Sequence, residues 1–254
     1  MNTKKFLILS MLVCIALVTG SCSLTKSGLG GGVPGSGNVQ TETRATGAFE
    51  AIAIQYPGAE ITIQQGDKET VAIEADDNLL PQLSTEVLSG RLTIKSTETD
   101  WKTSVNPTKP VKISIAVKNL NEIELAAPVG NLEVNDLQAD TLKLVLSGGA
   151  QINLNGIHVD LLDSVLSGAG NIQASGTADE IKLILSGLGN FSADDLKSNK
   201  ATIELSGKGD ATVRVEKELM ATITGAGSIH YFGNPHVEQN INGAGSVQPV
   251  EDDG

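Results

Sequence analysis

LSGGAQI (146–152), LSGAGNI (166–172), LSGLGNF (185–191), LSGKGDA (205–211), ITGAGSI (223–229) and INGAGSV (241–247) are six copies of one segment, and AAPVGNL (126–132) is a weaker seventh. With the second letter of each as origin, the copies fall at Ala127, Ser147, Ser167, Ser186, Ser206, Thr224 and Asn242. The steps are 20, 20, 19, 20, 18 and 18 residues. A period this short and this regular marks a stacked-repeat architecture.

The columns sort by chemistry. One residue before the origin stand Ala126, Leu146, Leu166, Leu185, Leu205, Ile223 and Ile241; five after it stand Leu132, Ile152, Ile172, Phe191, Ala211, Ile229 and Val247. Both columns are apolar and point inward. Four after the origin stand Asn131, Gln151, Asn171, Asn190, Asp210, Ser228 and Ser246, a polar column that faces out. Neighbouring positions of opposite character are the period of a strand. Corners recur as well. Asn135-Asp136, Asn155-Gly156, Ser175-Gly176 and Asp194-Asp195 are pairs that tolerate left-handed backbone, and Asp140, Asp160, Asp179 and Asn199 mark a second corner. The glycines one after the origin suggest a bend where a Cβ would crowd the neighbouring coil.

Short strands joined by fixed corners, all within about 20 residues, describe one coil of a parallel β-helix, or β-solenoid. The fold class is therefore all-β with coils of about 20 residues over 127–250. The stretch 38–126 is less regular and reads as continuing or capping the solenoid. There, 59–75 and 84–96 read as strand pairs turning at Gly66-Asp67 and Ser89-Gly90, 111–117 as an alternating strand, and 77–83 as a short turn.

Composition agrees. Of 254 residues, 40% are hydrophobic but only 3% aromatic, and 28 are glycine, so the core must be narrow and aliphatic. Residues 1–21 read as a lipoprotein signal peptide. Lys4 and Lys5 precede an apolar run, Phe6 to Val18, too short to span a bilayer, and small residues lead into Cys22. Cys22 reads as the lipidated first residue of the mature chain, although Thr19 stands where the strict lipobox prefers Leu. Residues 22–37 then form a Gly/Ser-rich flexible tether. Removing a leader with two lysines and no acid takes the net charge from −12 to about −14. That charge repels phosphate backbones and argues against nucleic acid as a partner. Ser23 does not resemble an inner-membrane retention signal, which favours the outer membrane or cell surface over the cytoplasm.

GSGNVQTETRATGAFEAIAI (35–54), ITIQQGD (61–67), EADDNLLPQL (74–83) and the serial SG-x-GN segments together resemble the bacterial family called putative auto-transporter adhesin, head-GIN domain. The resemblance spans about residues 35–250. It implies a right-handed β-solenoid and an envelope location, and it supplies no catalytic residues.

Chemistry beyond this is sparse. Asp140, Asp160 and Asp179 would stand about 5 Å apart on successive coils, a repulsive ladder that calcium could relieve. The calcium-binding nonapeptide pattern does not fit, because the repeats carry Asn, Ser or Gln where acids are needed, Asp210 being the only acid among them. Asp76-Asp77 and Asp194-Asp195 read as turn residues. His158, His230 and His236 share no column, and no nucleophile elbow, P-loop or H-E-x-x-H occurs. No cofactor is implied. Three functional readings follow. The first is a non-enzymatic, membrane-anchored binding module presenting flat faces, with the column Asn131 to Ser246 as its ladder, to an envelope protein or a glycan. The second is a polysaccharide-active enzyme with a site in the irregular first half near Trp101. The third is a structural component that associates with itself through its end coils.

Overall fold

The computed structural model of the chain describes residues 32–97, 104–126 and 130–251. It is an all-β solenoid. Its strands are β1 (Gly32–Pro34), β2 (Val39–Ala45), β3 (Ala51–Gln55), β4 (Glu60–Gln65), β5 (Thr70–Asp76), β6 (Leu83–Leu88), β7 (Arg91–Ser96), β8 (Ser104–Asn106), β9 (Lys112–Val117) and β10 (Glu122–Leu125). They continue as β11 (Asn131–Asn135), β12 (Gln138–Leu146), β13 (Gln151–Leu166), β14 (Ala169–Leu185), β15 (Leu188–Leu205), β16 (Ala211–Ile223), β17 (Ser228–Phe232), β18 (His236–Ile241) and β19 (Ser246–Pro249). The stretch 77–83 contains a 3₁₀ turn, Leu80–Gln82.

Each regular coil has three sides, and burial shows where it turns. In β13 the inward residues are Ile152 and Leu154, then Ile157 and Val159, then Leu162, Ser164 and Leu166. The strict alternation slips by one residue at each corner. Successive coils pair in parallel, so each inward residue meets its counterpart: Ile152 lies beside Leu132 and Ile172, and Leu166 beside Leu146 and Leu185. Leu, Ile, Val and Ala fill the resulting core, with Phe191 in the column of Ile172.

At the weak first repeat the structure shifts the reading by one residue. Leu125, not Ala126, pairs with Leu146, while Leu132 still pairs with Ile152. The corner in between is one residue longer than its successors, and Ala126 is exposed.

At the glycine corner the backbones of successive coils approach closely. The carbonyl of Gly168 accepts the Leu188 N–H at 2.9 Å, that of Gly187 the Lys208 N–H at 3.1 Å, and that of Gly207 the Ala226 N–H at 3.0 Å. These bonds draw the corners so close that a Cβ on Gly187, Gly207 or Gly225 would collide with the glycine carbonyl one coil before. A second glycine column, Gly170, Gly189, Gly209, Gly227 and Gly245, meets the preceding coil in the same way.

Coil order departs from chain order at the N-terminal end. Strand β3 pairs in parallel with β10 on one side and β7 on the other, and β4 likewise lies between β11 and β9. The coil 51–65 is therefore sandwiched between a later coil, 91–117, and the regular stack. The strand pair read at Gly66-Asp67 is corrected accordingly: β9 lies between its two arms, parallel to β4 and antiparallel to β5. The pair at Ser89-Gly90 is a true hairpin, β6–β7, with both turn residues at positive φ (51° and 76°). Strands β2 and β6, both antiparallel to their neighbours, close this end.

Strand structure is present from Gly32, ahead of Asn38. Strand β1 pairs with β8, and the segment after it is clasped by residues 76–78. Asp76, 1% exposed, accepts the Gly37 N–H (2.8 Å), the Thr108 hydroxyl (2.7 Å) and the Thr108 N–H (2.9 Å). Asp77 accepts from the Ser36 hydroxyl and the Asn38 amide, and Asn78 bridges the Ser36 N–H and the Pro34 carbonyl. The Thr108 N–H and hydroxyl, then the Gly37 N–H, hold the Asp76 carboxyl below the usual carboxylate range.

At the far end β18 pairs with β16 and β19 with β17, and no further strand pairs with β18 or β19 among the described residues. Gln239 stands there in the inward column of Ala221, and Pro249 removes a donor from the edge.

Gly207→Ala should destabilise the fold by about 3 kcal/mol, the upper range for overpacking, because the obstacle is backbone; urea denaturation measures it. A depressed folded-state pKa gives stability that is complete above the unfolded value, about 4, and is lost as pH falls through the folded value. Asp76→Asn should therefore lower the melting temperature at pH 7 by several degrees and flatten its fall between pH 5 and 3, as followed by circular dichroism.

Candidate functional site: the amide face

One side of the solenoid consists of β11, the first residues of β13 and β14, the corresponding part of β15, the start of β16, then β17 and β19. Its outward positions form three columns. The first is the ladder singled out in the sequence, and the structure brings its members together. Asn131, Gln151, Asn171 and Asn190 are in register, as are Ser228 and Ser246, and Asp210 links the two groups through its neighbour Ala211.

Side-chain hydrogen bonds run along this column. The Asn171 amide donates to Gln151 Oε1 (3.4 Å) and the Asn190 amide to Asn171 Oδ1 (3.3 Å). Asn190 Oδ1 accepts the Asp210 N–H (3.1 Å), Asp210 Oδ1 the Ser228 N–H (2.8 Å), and the Ser246 hydroxyl donates to Ser228 (3.2 Å). The oxygens are thus engaged in holding one coil to the next. They satisfy backbone donors where the chain leaves the glycine corner, a structural task.

The middle column, two residues further on, is different. It contains Glu133, Asn153, Gln173, Ser192, Thr212, His230 and Gln248. Asn153 accepts from Gln151 at 3.4 Å, whereas Gln173, Ser192 and Thr212 make no side-chain hydrogen bond among the described residues. These groups are open to a ligand. The sequence carries the signal, since the position six after the origin is as uniformly polar as the position four after it.

Asp140, Asp160 and Asp179 also share a column, because Ala139, Val159 and Ala178 before them are in register. Their mutual repulsion is eased locally: the Asn199 amide donates to Asp179 (3.1 Å), and Lys200 and Lys217 line the same groove of about 530 Å³. Among the described residues, no group of three or more His, Cys, Asp or Glu is arranged to hold a metal ion. The histidines stand apart: His158 against the Gly156 carbonyl, His230 in the middle column, and His236 beside Glu238 on another side. Cys22 and Trp101 lie outside the described residues.

The side formed by β10 and the ends of β12 to β16 carries a column of charges that sequence reading missed. Glu122, Lys143, Asp163 and Lys182 are in register, and Arg91 reaches Glu122 (2.6 Å) and Glu124 (3.1 Å). Alternating sign solves on this side what amides solve on the other.

Comparison with known proteins agrees with this architecture. A family model described as putative auto-transporter adhesin, head GIN domain, matches residues 48–235. A putative adhesin from Bacteroides fragilis has a TM-score of 0.79 at 25% identity, over 86% of this chain and 100% of that one. A putative lipid binding protein from Parabacteroides distasonis (TM-score 0.69, 24% identity, 86% and 99% coverage) and a putative adhesin from Parabacteroides merdae (0.63, 21%, 86% and 99%) share the fold. No curated protein matches the chain in sequence.

Asn190→Ala should cost about 1 kcal/mol, the net worth of the bond that Oδ1 makes to the Asp210 N–H. Gln173→Ala, with no such partner, should leave stability within about 0.5 kcal/mol of the parent. Paired denaturation curves compare the two.

Proposed function

Because the chain belongs to the putative auto-transporter adhesin, head GIN domain family, we propose that it is a non-enzymatic binding module of the cell envelope, held to a membrane by an acylated Cys22. The observation that carries this reading is the middle column of the amide face. Its unpaired amides and hydroxyls lie on a flat surface whose coils step by 18 to 20 residues, with no inserted loop to roof a reaction cleft. Exposed polar side chains cost little to leave hydrated and gain when a partner's polar groups replace water, which suits adhesion-type recognition over a long surface. The leader and its cysteine support export and anchoring, and the net charge of −12 supports partners other than nucleic acid.

Self-association through the ends is less favoured, because the open coil carries Gln239 at an inward position and Pro249 on its edge.

Envelope fractions passed over the immobilised chain provide the test. Saturable capture should be lost in a Gln173→Lys, Ser192→Lys, Thr212→Lys variant that melts like the parent. Equal capture by both would rule out this face, and turnover of a polysaccharide by the purified chain would rule out the non-enzymatic reading. Growth in radiolabelled palmitate should label the chain and leave Cys22→Ala unlabelled.

A further inference from the structure

The parallel register slips at the corner beside the middle column, between Leu154 and Ile157, between Gln173 and Ser175, and between Ala193 and Lys197. These slips in three consecutive pairings open a dent of about 210 Å³ in the edge of the amide face. Polar side chains line it: Asn155, Gln173, Ser175, Ser192, Asp194 and Asp195. Some are committed elsewhere. The Asn155 amide donates to Asn135 (2.9 Å), and the Ser175 hydroxyl accepts the Gly156 N–H (3.1 Å). The carboxylates of Asp194 and Asp195, the Gln173 amide and the Ser192 hydroxyl have no partner among the described residues.

The corner at 194–195 differs from those before it. Asp136 (φ 52°), Gly156 (φ 63°) and Gly176 (φ 121°) are left-handed, and Asp195 is not. Asp195 pairs with Ser175 and Leu196 with Gly176, so Asp194 is the extra residue of a bulge. Both aspartates line the dent.

From this juxtaposition we infer that the corner at Asp194-Asp195 is a subsite for one ring of a neutral polysaccharide, whose chain continues along the middle column. The inference rests on the binding-module reading and specifies its ligand. Three features of the chemistry select a sugar. An ionised carboxylate only accepts, with two oxygens side by side, and so takes both protons of a vicinal diol in charge-assisted bonds. The Gln173 amide and Ser192 hydroxyl both donate and accept, which matches hydroxyl groups and does not match a purely anionic or purely cationic ligand. The volume is below the about 300 Å³ of drug-sized sites and suits a single ring with the rest of the ligand lying on the surface. An anionic polymer is disfavoured by the same two carboxylates. One coil further on, Arg214 donates to the Asp194 carbonyl (2.7 Å) and stacks on Phe232 (4.7 Å).

Affinity gel electrophoresis of the full chain in mild detergent tests this, with dextran, mannan and mixed-linkage β-glucan as neutral probes and polygalacturonate as the anionic one. At least one neutral polymer should retard the chain, and Asp194→Ala, Asp195→Ala should weaken that retardation roughly tenfold or more, a shift of one decade in dissociation constant. Glu238→Ala on another side should match the parent, and equal melting temperatures show that the variants are folded. No retardation by any neutral polymer, retardation by polygalacturonate alone, or unchanged retardation of the double variant would each overturn the subsite. Periodate, which cleaves vicinal diols, separates this failure from failure of the broader reading. Capture of envelope material that survives periodate would leave a binding module with a different ligand, capture abolished by periodate would support the sugar, and no capture of untreated envelope material would remove both readings.

Discussion

Everything in this molecule depends on coils hydrogen-bonded to one another in register. Each backbone N–H and C=O of a regular coil is satisfied only by its neighbours above and below, so a residue always faces its own counterparts one period away. The core benefits, because apolar residues meet apolar residues without loops to bury. The surface does not benefit automatically. Any charge repeated at one position must stand close to its copies, and each side of the solenoid manages this differently: alternating sign from Glu122 to Lys182, amides from Asn131 to Asn190, and a carboxylate column relieved by Asn199 and two lysines. The glycine corner is the geometric limit of the same constraint. The bonds that close it bring one backbone against the next, and no side chain fits between them.

That constraint explains what was legible. The columns are visible in the sequence because register forces similar residues to recur at a fixed spacing, and the inward and outward positions of 146–247 follow from them directly. The failures occur where register is broken or non-local. Ala126 was aligned with Leu146 because the AAPVGNL corner is one residue longer than its successors, a detail no period can reveal. The placement of 91–117 outside 51–65 depends on strands pairing across tens of residues, and β9 between β4 and β5 defeats the expectation that neighbouring strands pair around a short turn. The clasp at Asp76 was invisible for a related reason: Gly37 and Thr108 meet it only after the cap has folded.

The candidate site shows the same division. The first polar column was found and its register is as expected, yet its chemistry is inward-looking, the side-chain oxygens from Gln151 to Ser228 being bonded to the coil beside them. A repeating asparagine proves recurrence and says nothing of availability, which depends on where the neighbouring N–H groups point. The middle column is equally periodic and differs only in having no such donor in reach.

The same logic locates recognition on the sides of the solenoid and, within a side, at its irregularities. A coil in register spends the polar groups of its first column on its neighbours, and the ends are blunted by antiparallel strands at one extreme and by Gln239 and Pro249 at the other. Unspent hydrogen-bonding capacity lies in the in-register middle column, as at Gln173 and Ser192, and beside it where a slip releases Asp194 from a counterpart. The slips between Leu154 and Lys197 fall at one corner in consecutive coils, so they add up to a single recess instead of scattered defects. A lone bulge would leave one polar group without a partner. Three in a row place two carboxylates, an amide and a hydroxyl around a space the size of a ring, at the border of a face whose middle column continues in both directions along the rod.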